Sequence, residues 1–281
     1  MKFSRYETAA DFLESVGEWL ITRETINNLI LGISERLVAD PNAYQNPFFA
    51  SVKDEAGRVV LAAIMTPPHN LILAGDETLG QGYATLISDL QDNQIDVPGV
   101  IGPADIAQGF IEVWRRMTHQ TYKLEMRQRV YELRTVNMPP MPPGQFRLAH
   151  SQDIPQIAAW IQAFEAEALG EIHELDLARA ERLVDRGYMF VWKRAEEIVS
   201  MAMKTRPISH SISVGEVYTP PEHRCKGYAT ALVAQLTQHL LDMGYQFVNL
   251  FTDQANPTSN SIYQKLGYFP VCDFWQYTIV K

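Results

Sequence analysis

The stretch Arg224-Cys225-Lys226-Gly227-Tyr228-Ala229-Thr230 puts two cations, a glycine and the start of an apolar-patterned helix in one place. A helix start exposes N–H groups that lack acceptors one turn earlier, together with the positive end of the helix dipole. Phosphates bind there with few side chains. Gly227 permits close backbone approach, Ala229 keeps the wall low, and Arg224 and Lys226 add positive charge. This chemistry suits a pyrophosphate. The stretch is not a Walker loop, because tyrosine follows Gly227 and no Gly-Lys-Ser/Thr is present. It is not a dinucleotide fingerprint, because the paired glycines are missing.

Before this turn, Val214-Gly215-Glu216-Val217-Tyr218-Thr219 reads as a strand that stops at Pro220-Pro221. Arg224-x-x-Gly227-x-Ala229 resembles the Arg/Gln-x-x-Gly-x-Gly/Ala signature of the GNAT superfamily of acyl-CoA-dependent N-acyltransferases. A second segment agrees. Strand-like Phe247 to Asp253 is followed by Asn256 through Tyr263 to Gly267-Tyr268, which resembles the family's Asn…Tyr…Gly-Phe/Tyr element. The resemblance spans about 70 residues, and weakens over 144–210. It implies acetyl-CoA as acyl donor and a small-molecule or peptide amine as acceptor. Val217, Tyr218 and Thr219 would lie along the pantetheine arm, with backbone groups of Val217 and Thr219 pairing to it. Backbone N–H groups from Cys225 to Thr230 would hold the pyrophosphate. Asn256 would touch the arm, and Tyr263 would protonate the leaving thiolate.

An amine must lose a proton to attack a thioester carbonyl, and a strand N–H can stabilise the developing oxyanion. Glu216 is the candidate base, because it lies on the strand beside the expected thioester. Strict alternation places its side chain on the face opposite those of Gly215 and Val217. Glu222, His223 and His210 are the other candidates, and each could instead be an ordinary surface or turn residue. Direct transfer needs no covalent intermediate, so Cys225 is not expected to be a nucleophile. Blander roles stand beside these: a surface ion pair for Arg224, core packing for Tyr263, and a helix stop for Gly267. A non-catalytic acyl-CoA-binding or regulatory module would explain the same motif, and so would a structural domain that merely keeps the fold.

These residues need elements to hold them. Pro139, Pro140, Pro142 and Pro143 forbid helix and central strand, so 137–143 reads as a stiff linker. It separates an accessory or degenerate domain at 1–136 from an acyltransferase domain at 144–281. In the first part, helical patterning covers Phe12 to Leu20 and Ile26 to Leu37. Strands follow at 48–52, 59–65 and 71–74, helices near 77–91 and 103–118, and a long strand over 122–136. The second part offers a helix from Asp153-Ile154-Pro155, with Asp153 as N-cap, then a helix at 175–186. Strands at 188–193, 197–205 and 211–219 precede a helix at 227–243, a strand at 246–251, a helix at 257–266 and a strand at 270–279. The order predicts an α/β or α+β fold of mixed sheets flanked by helices. Gln81-Gly82-Tyr83-Ala84-Thr85 echoes Lys226 to Thr230, which suggests a tandem GNAT-like architecture whose first copy has Leu79 where the second has Arg224. His69, beside two prolines, is a possible pocket residue in the first part.

Composition sets the outer limits. The formal charge is -9, and no basic patch with interleaved aromatics appears, so nucleic acid is not an expected partner. No run of 18 apolar residues and no apolar leader is present, so neither a membrane span nor secretion is expected. Cys225 and Cys272 form no framework or CxxC site. A reducing, cytoplasmic setting and no metal are expected. The oligomeric state is open.

Overall fold

The computed structural model describes residues 1–76, 80–168, 170 and 173–280. The chain forms two compact units. The first comprises Met1–Val130 with Phe251–Asn256 and Pro270–Lys281, and the second Tyr131–Leu250 with Pro257–Phe269. Neither unit is one continuous stretch of chain.

In the first unit β1 (Lys2–Tyr6), β2 (Phe48–Lys53), β3 (Val59–Met65) and β4 (Leu71–Gly75) run antiparallel in order. β5 (Gly99–Pro103) lies parallel to β4. The last strand of the chain, β12 (Phe269–Val280), pairs antiparallel with β5 from Phe274↔Pro103 to Thr278↔Gly99. β3 is buried at every residue, as a strand with apolar cover on both faces must be. α1 (Ala9–Ile21) starts at Thr8, whose hydroxyl accepts the Asp11 N–H, and is followed by α2 (Asn28–Ala39). α3 (Gly80–Asp92) and α4 (Ala104–Thr118) pack Leu86, Leu90, Phe110 and Ile111 against Leu61, Leu71 and Leu73.

The second unit takes up the end of β6 (Thr121–Leu133), the start of β11 (Phe247–Asp253), and four further strands. These are β7 (Gln145–Leu148), β8 (Met189–Arg194), β9 (Glu197–Thr205) and β10 (Ser211–Tyr218). β7 to β10 are antiparallel in turn, and β10 runs parallel to β11 from Ser211↔Phe247 to Val214↔Leu250. α5 (Ile154–Ala168) and α6 (Leu177–Asp185) cover one face, with Ile157, Ile161, Ala180 and Val184 against Val191 and Met201. α7 (Tyr228–Asp242) and α8 (Pro257–Leu266) cover the other, with Leu232, Leu236 and Leu266 against Ile212 and Val248.

Most elements fall where the hydrophobic pattern places them. Three strands escape it: β1, β5 and β7. β5 hides in a Pro/Gly-rich stretch because other chain passes so close. A Cβ at Gly99 would lie 2.2 Å from the Tyr277 carbonyl, and one at Gly102 would lie 2.9 Å from that of Leu73. Asp153 corrects the expected cap of α5. Its carboxylate turns back to accept the His150 N–H at 2.9 Å and both Arg147 guanidinium nitrogens at 2.6 and 2.9 Å. It closes a 3-10 turn at Ser151–Asp153 ahead of the helix. The echo between Gln81–Thr85 and Lys226–Thr230 holds for the tyrosines, since Tyr83 and Tyr228 are both buried beneath their helices. It fails for the glycines: Gly82 lies inside α3, whereas Gly227 precedes α7. Leu79 lies outside the described residues. His69 is exposed and edge-on to Tyr44 at 6.2 Å.

Candidate functional site

β10 is regular as far as Gly215, which faces Met203, but the next register pair with β9 is Tyr218↔Met201. One extra residue is accommodated as a bulge, with Glu216 at φ 46°. The bulge breaks the alternation between Val214 and Glu216, while Glu216 still lies opposite Val217. Ile212 and Val214 face the α7 layer, and regular pleating would send Glu216 after them. Instead Glu216 reaches α6 and Tyr218 enters the α5–α6 core.

There Glu216 Oε1 accepts from Arg179 Nη2 at 2.8 Å, and the other Arg179 nitrogen is bonded to Glu165. Glu216 Oε2 is closed off from solvent and has no hydrogen-bond partner. Burial pushes the Glu216 carboxyl above its usual range. The Arg179 charge opposes this shift, and the neighbouring Glu165 adds to it. Sequence reasoning missed Arg179 and Glu165. They meet Glu216 only through tertiary packing, from α5 and α6, which no local pattern announces.

Beyond the bulge the main chain is pinned by side chains. Ser200 Oγ donates to the Tyr218 carbonyl at 3.1 Å and lies 2.8 Å from the Thr219 hydroxyl. Val217 is half-buried against the α7 core. Tyr218 packs on Trp160, with ring centroids 6.2 Å apart, and donates to Glu167 at 3.2 Å.

The turn into α7 is exposed from Pro221 to Gly227 except at half-buried His223. Cys225 (φ 59°) and Gly227 (φ 79°) are both left-handed and curl the chain into the helix. Ala231 N–H is bonded to the Gly227 carbonyl at 3.0 Å, so the N–H groups of Tyr228, Ala229 and Thr230 begin the helix as free-end donors. A Cβ at Gly227 would meet nothing nearer than Pro142 Cγ at 4.0 Å, so the approach to these donors is open. An anion such as pyrophosphate fits this opening. The two cations contribute less free charge than their positions imply. Arg224 pairs with Glu167 at 2.6 Å, donates to the Thr219 carbonyl at 2.8 Å and lies over the Tyr218 ring. Lys226 Nζ donates to the Glu222 carbonyl at 2.7 Å. Cys225 is an exposed free thiol, and Cys272 a half-buried one.

Tyr263 on α8 is buried between Tyr131 and Tyr268, with centroids 6.5 and 5.9 Å away. Burial pushes its phenol up to about 12. It is therefore protonated throughout the neutral range. Gly267 (φ 103°) ends α8, with its N–H on the Gln264 carbonyl, as a helix stop requires. Asn256 is exposed just before α8 and belongs to the first unit. His223 contacts Glu197 at 3.4 Å and has a buried, unpartnered Nδ1. His210 and Glu222 are exposed.

Residues 154–268 match the profile of the Acetyltransferase (GNAT) family. No curated protein sequence matches the chain. Among solved structures it is similar to a GNAT-family acetyltransferase from Colwellia psychrerythraea (TM-score 0.58, 12% identity, 100% of both chains). It is also similar to a GCN5-related N-acetyltransferase from Sphaerobacter thermophilus (TM-score 0.60, 15% identity, 87% of this chain and 84% of that one). A tandem GNAT protein from the clavulanic acid biosynthesis pathway, solved without AcCoA, aligns at TM-score 0.59 and 14% identity over 99% of this chain and 98% of its own. Residues 154–268 thus resemble a GNAT-family acetyltransferase domain, and the mixed α/β fold is similar to that of a tandem GNAT protein. No helix among the described residues is long and apolar enough to cross a membrane.

Proposed function

We propose that this protein transfers an acetyl group from acetyl-CoA to an amine by direct attack. The open, left-handed turn at Gly227, leading into the free-end donors of α7, is the observation that carries this reading. The N–H groups from Cys225 to Thr230 hold the pyrophosphate, with Arg224 and Lys226 alongside. The backbone of Val217, Tyr218 and Thr219 lies along the arm, kept in place by Ser200. Asn256 is assigned to the arm as well. The thioester supplies an acetyl group activated toward amines.

Glu216 takes the proton of the attacking amine. A raised carboxyl is the better base near neutrality, provided that it ionises, and the Arg179 guanidinium supports its ionised form. Tyr263 gives a hydrogen bond, and then its proton, to the departing sulfur. A phenol at about 12 is a weak acid, so this transfer needs a sulfur as desolvated as the phenol itself. A small-molecule or peptide amine is the proposed acceptor.

The closed-off Oε2 of Glu216 favours one competing reading, an acyl-CoA-binding module without catalysis. The pH profile of acetyl transfer to a panel of primary amines separates the two. With Glu216 as base, kcat/KM rises with pH through a limb above the ordinary glutamate value of about 4.3. Glu216→Gln then removes that limb and lowers kcat by about 10²- to 10⁴-fold, while acetyl-CoA still binds. Binding without turnover of any amine favours the module instead.

A further inference from the structure

We propose that the first unit holds a ligand site of its own, for a small apolar monocarboxylate. A cavity of about 400 Å³ opens there, within the roughly 300–1,000 Å³ typical of small-molecule pockets. Its walls are apolar: Phe48 at the start of β2, Met65 at the end of β3, Pro68 before β4, and Ile95 and Pro98 before β5. Pro67 and three polar residues, Asn46, Asp96 and Arg5 of β1, complete the lining.

The position separates this cavity from any remnant of an acyl-CoA cradle. In the second unit the cradle follows the C-terminal end of β10 and leads into α7. The cavity of the first unit lies where β4 and β5 begin, at the opposite ends from those that lead into α3 and α4.

Arg5 defines the ligand's polarity. Its guanidinium lies on the Phe48 ring, 5.2 Å from the centroid, and forms no hydrogen bond or ion pair among the described residues. A guanidinium against an apolar wall, with no counter-ion in contact, favours a planar anion that it can grip by two parallel hydrogen bonds. Asp89 on α3 feels the Arg5 charge without an ion-pair contact, and one of its carboxylate oxygens is buried without a partner. Asp96 stands on the rim and has an interaction of its own. These two carboxylates disfavour a second negative charge on the ligand. The apolar walls take its aliphatic or aromatic body.

The test uses the full chain and calorimetry with 4-phenylbutyrate and its neutral amide. The acid should bind with Kd of about 1 mM or tighter, and the amide at least about tenfold more weakly, as loss of a charge-assisted pair requires. Arg5→Gln should reduce the acid to the level of the amide and leave acetyl-CoA binding unchanged. Ile95→Trp, which fills the cavity from its rim, should abolish binding of both. Equal binding of acid and amide, unaltered acid affinity in Arg5→Gln, or no binding of the acid to the parent protein would each overturn the proposal.

Discussion

At Tyr263 two properties pull apart. The ring is a core residue, and its hydroxyl is the proposed proton donor. Tyr263→Phe keeps the packing with Tyr131 and Tyr268 and removes only the donor. It should fold normally, bind acetyl-CoA as before, and lose about a hundredfold in kcat, the low end for a general acid. Steady-state kinetics beside a thermal melt checks this, and an unchanged kcat would return Tyr263 to a packing role. The residue types were readable from sequence, because a glycine before a helix and a tyrosine at fixed spacing are local features. Their charge balance was not. The sequence offers an ion pair for Arg224 but not its partner, Glu167, 57 positions earlier, which takes one of its nitrogens. Glu216 likewise acquires Arg179 and Glu165 only through tertiary packing.

At the scale of elements, the bulge in β10 decides where Glu216 points. A period of two carries no mark of an inserted residue, so it sets Glu216 opposite Val217 but does not announce the change of face after Val214. β1, β5 and β7 were missed for a related reason: they are short, and in β5 the glycines answer to close backbone neighbours rather than to any turn. The Asp153 clasp shows what the end of one short strand contributes. Burial pushes its carboxyl up, but the Arg147 hydrogen bonds and charge and the His150 N–H outweigh that and hold it below the usual range. A lowered carboxyl stabilises the fold above its ordinary value of about 3.9, and that stability is lost as pH falls through the lower folded value. Asp153→Asn should therefore cost about 1–3 kcal/mol at pH 7 by urea denaturation. The gap from the parent should narrow below about pH 3.9. A gap independent of pH would mean that the clasp acts through packing rather than charge.

At the scale of the whole molecule, the last strand belongs to the unit that begins the chain. Phe274, Tyr277 and Ile279 of β12 are buried, and the latter two join the core formed by α3, α4 and the first strands. Burial of each such side chain is worth roughly 1.5–3 kcal/mol. Removal of 270–281 should therefore destabilise the first unit, although the deleted residues come last. Limited proteolysis should then cut within 1–130 much faster than in the parent chain. An unchanged cleavage pattern would show that β12 is dispensable. The proline stretch suggests a division of the chain near 137–143, while the return of the C-terminal strand to β5 is a long-range pairing that no local pattern announces.

Acetyl-CoA binding tests the central claim most directly, measured by calorimetry for the parent chain, Gly227→Asn and Gly227→Asp. Gly227 is left-handed, so both substitutions meet the same backbone cost, and asparagine and aspartate are the side chains that bear it best. Neither Cβ clashes, since the nearest atom is 4.0 Å away. The two variants differ mainly in one negative charge at the proposed pyrophosphate seat. The parent should bind, Gly227→Asn should bind more weakly, and Gly227→Asp should lose at least a further tenfold, about 1.4 kcal/mol. Equal affinities for Asn and Asp, or no binding by the parent, would contradict an acyl-CoA cradle at the start of α7.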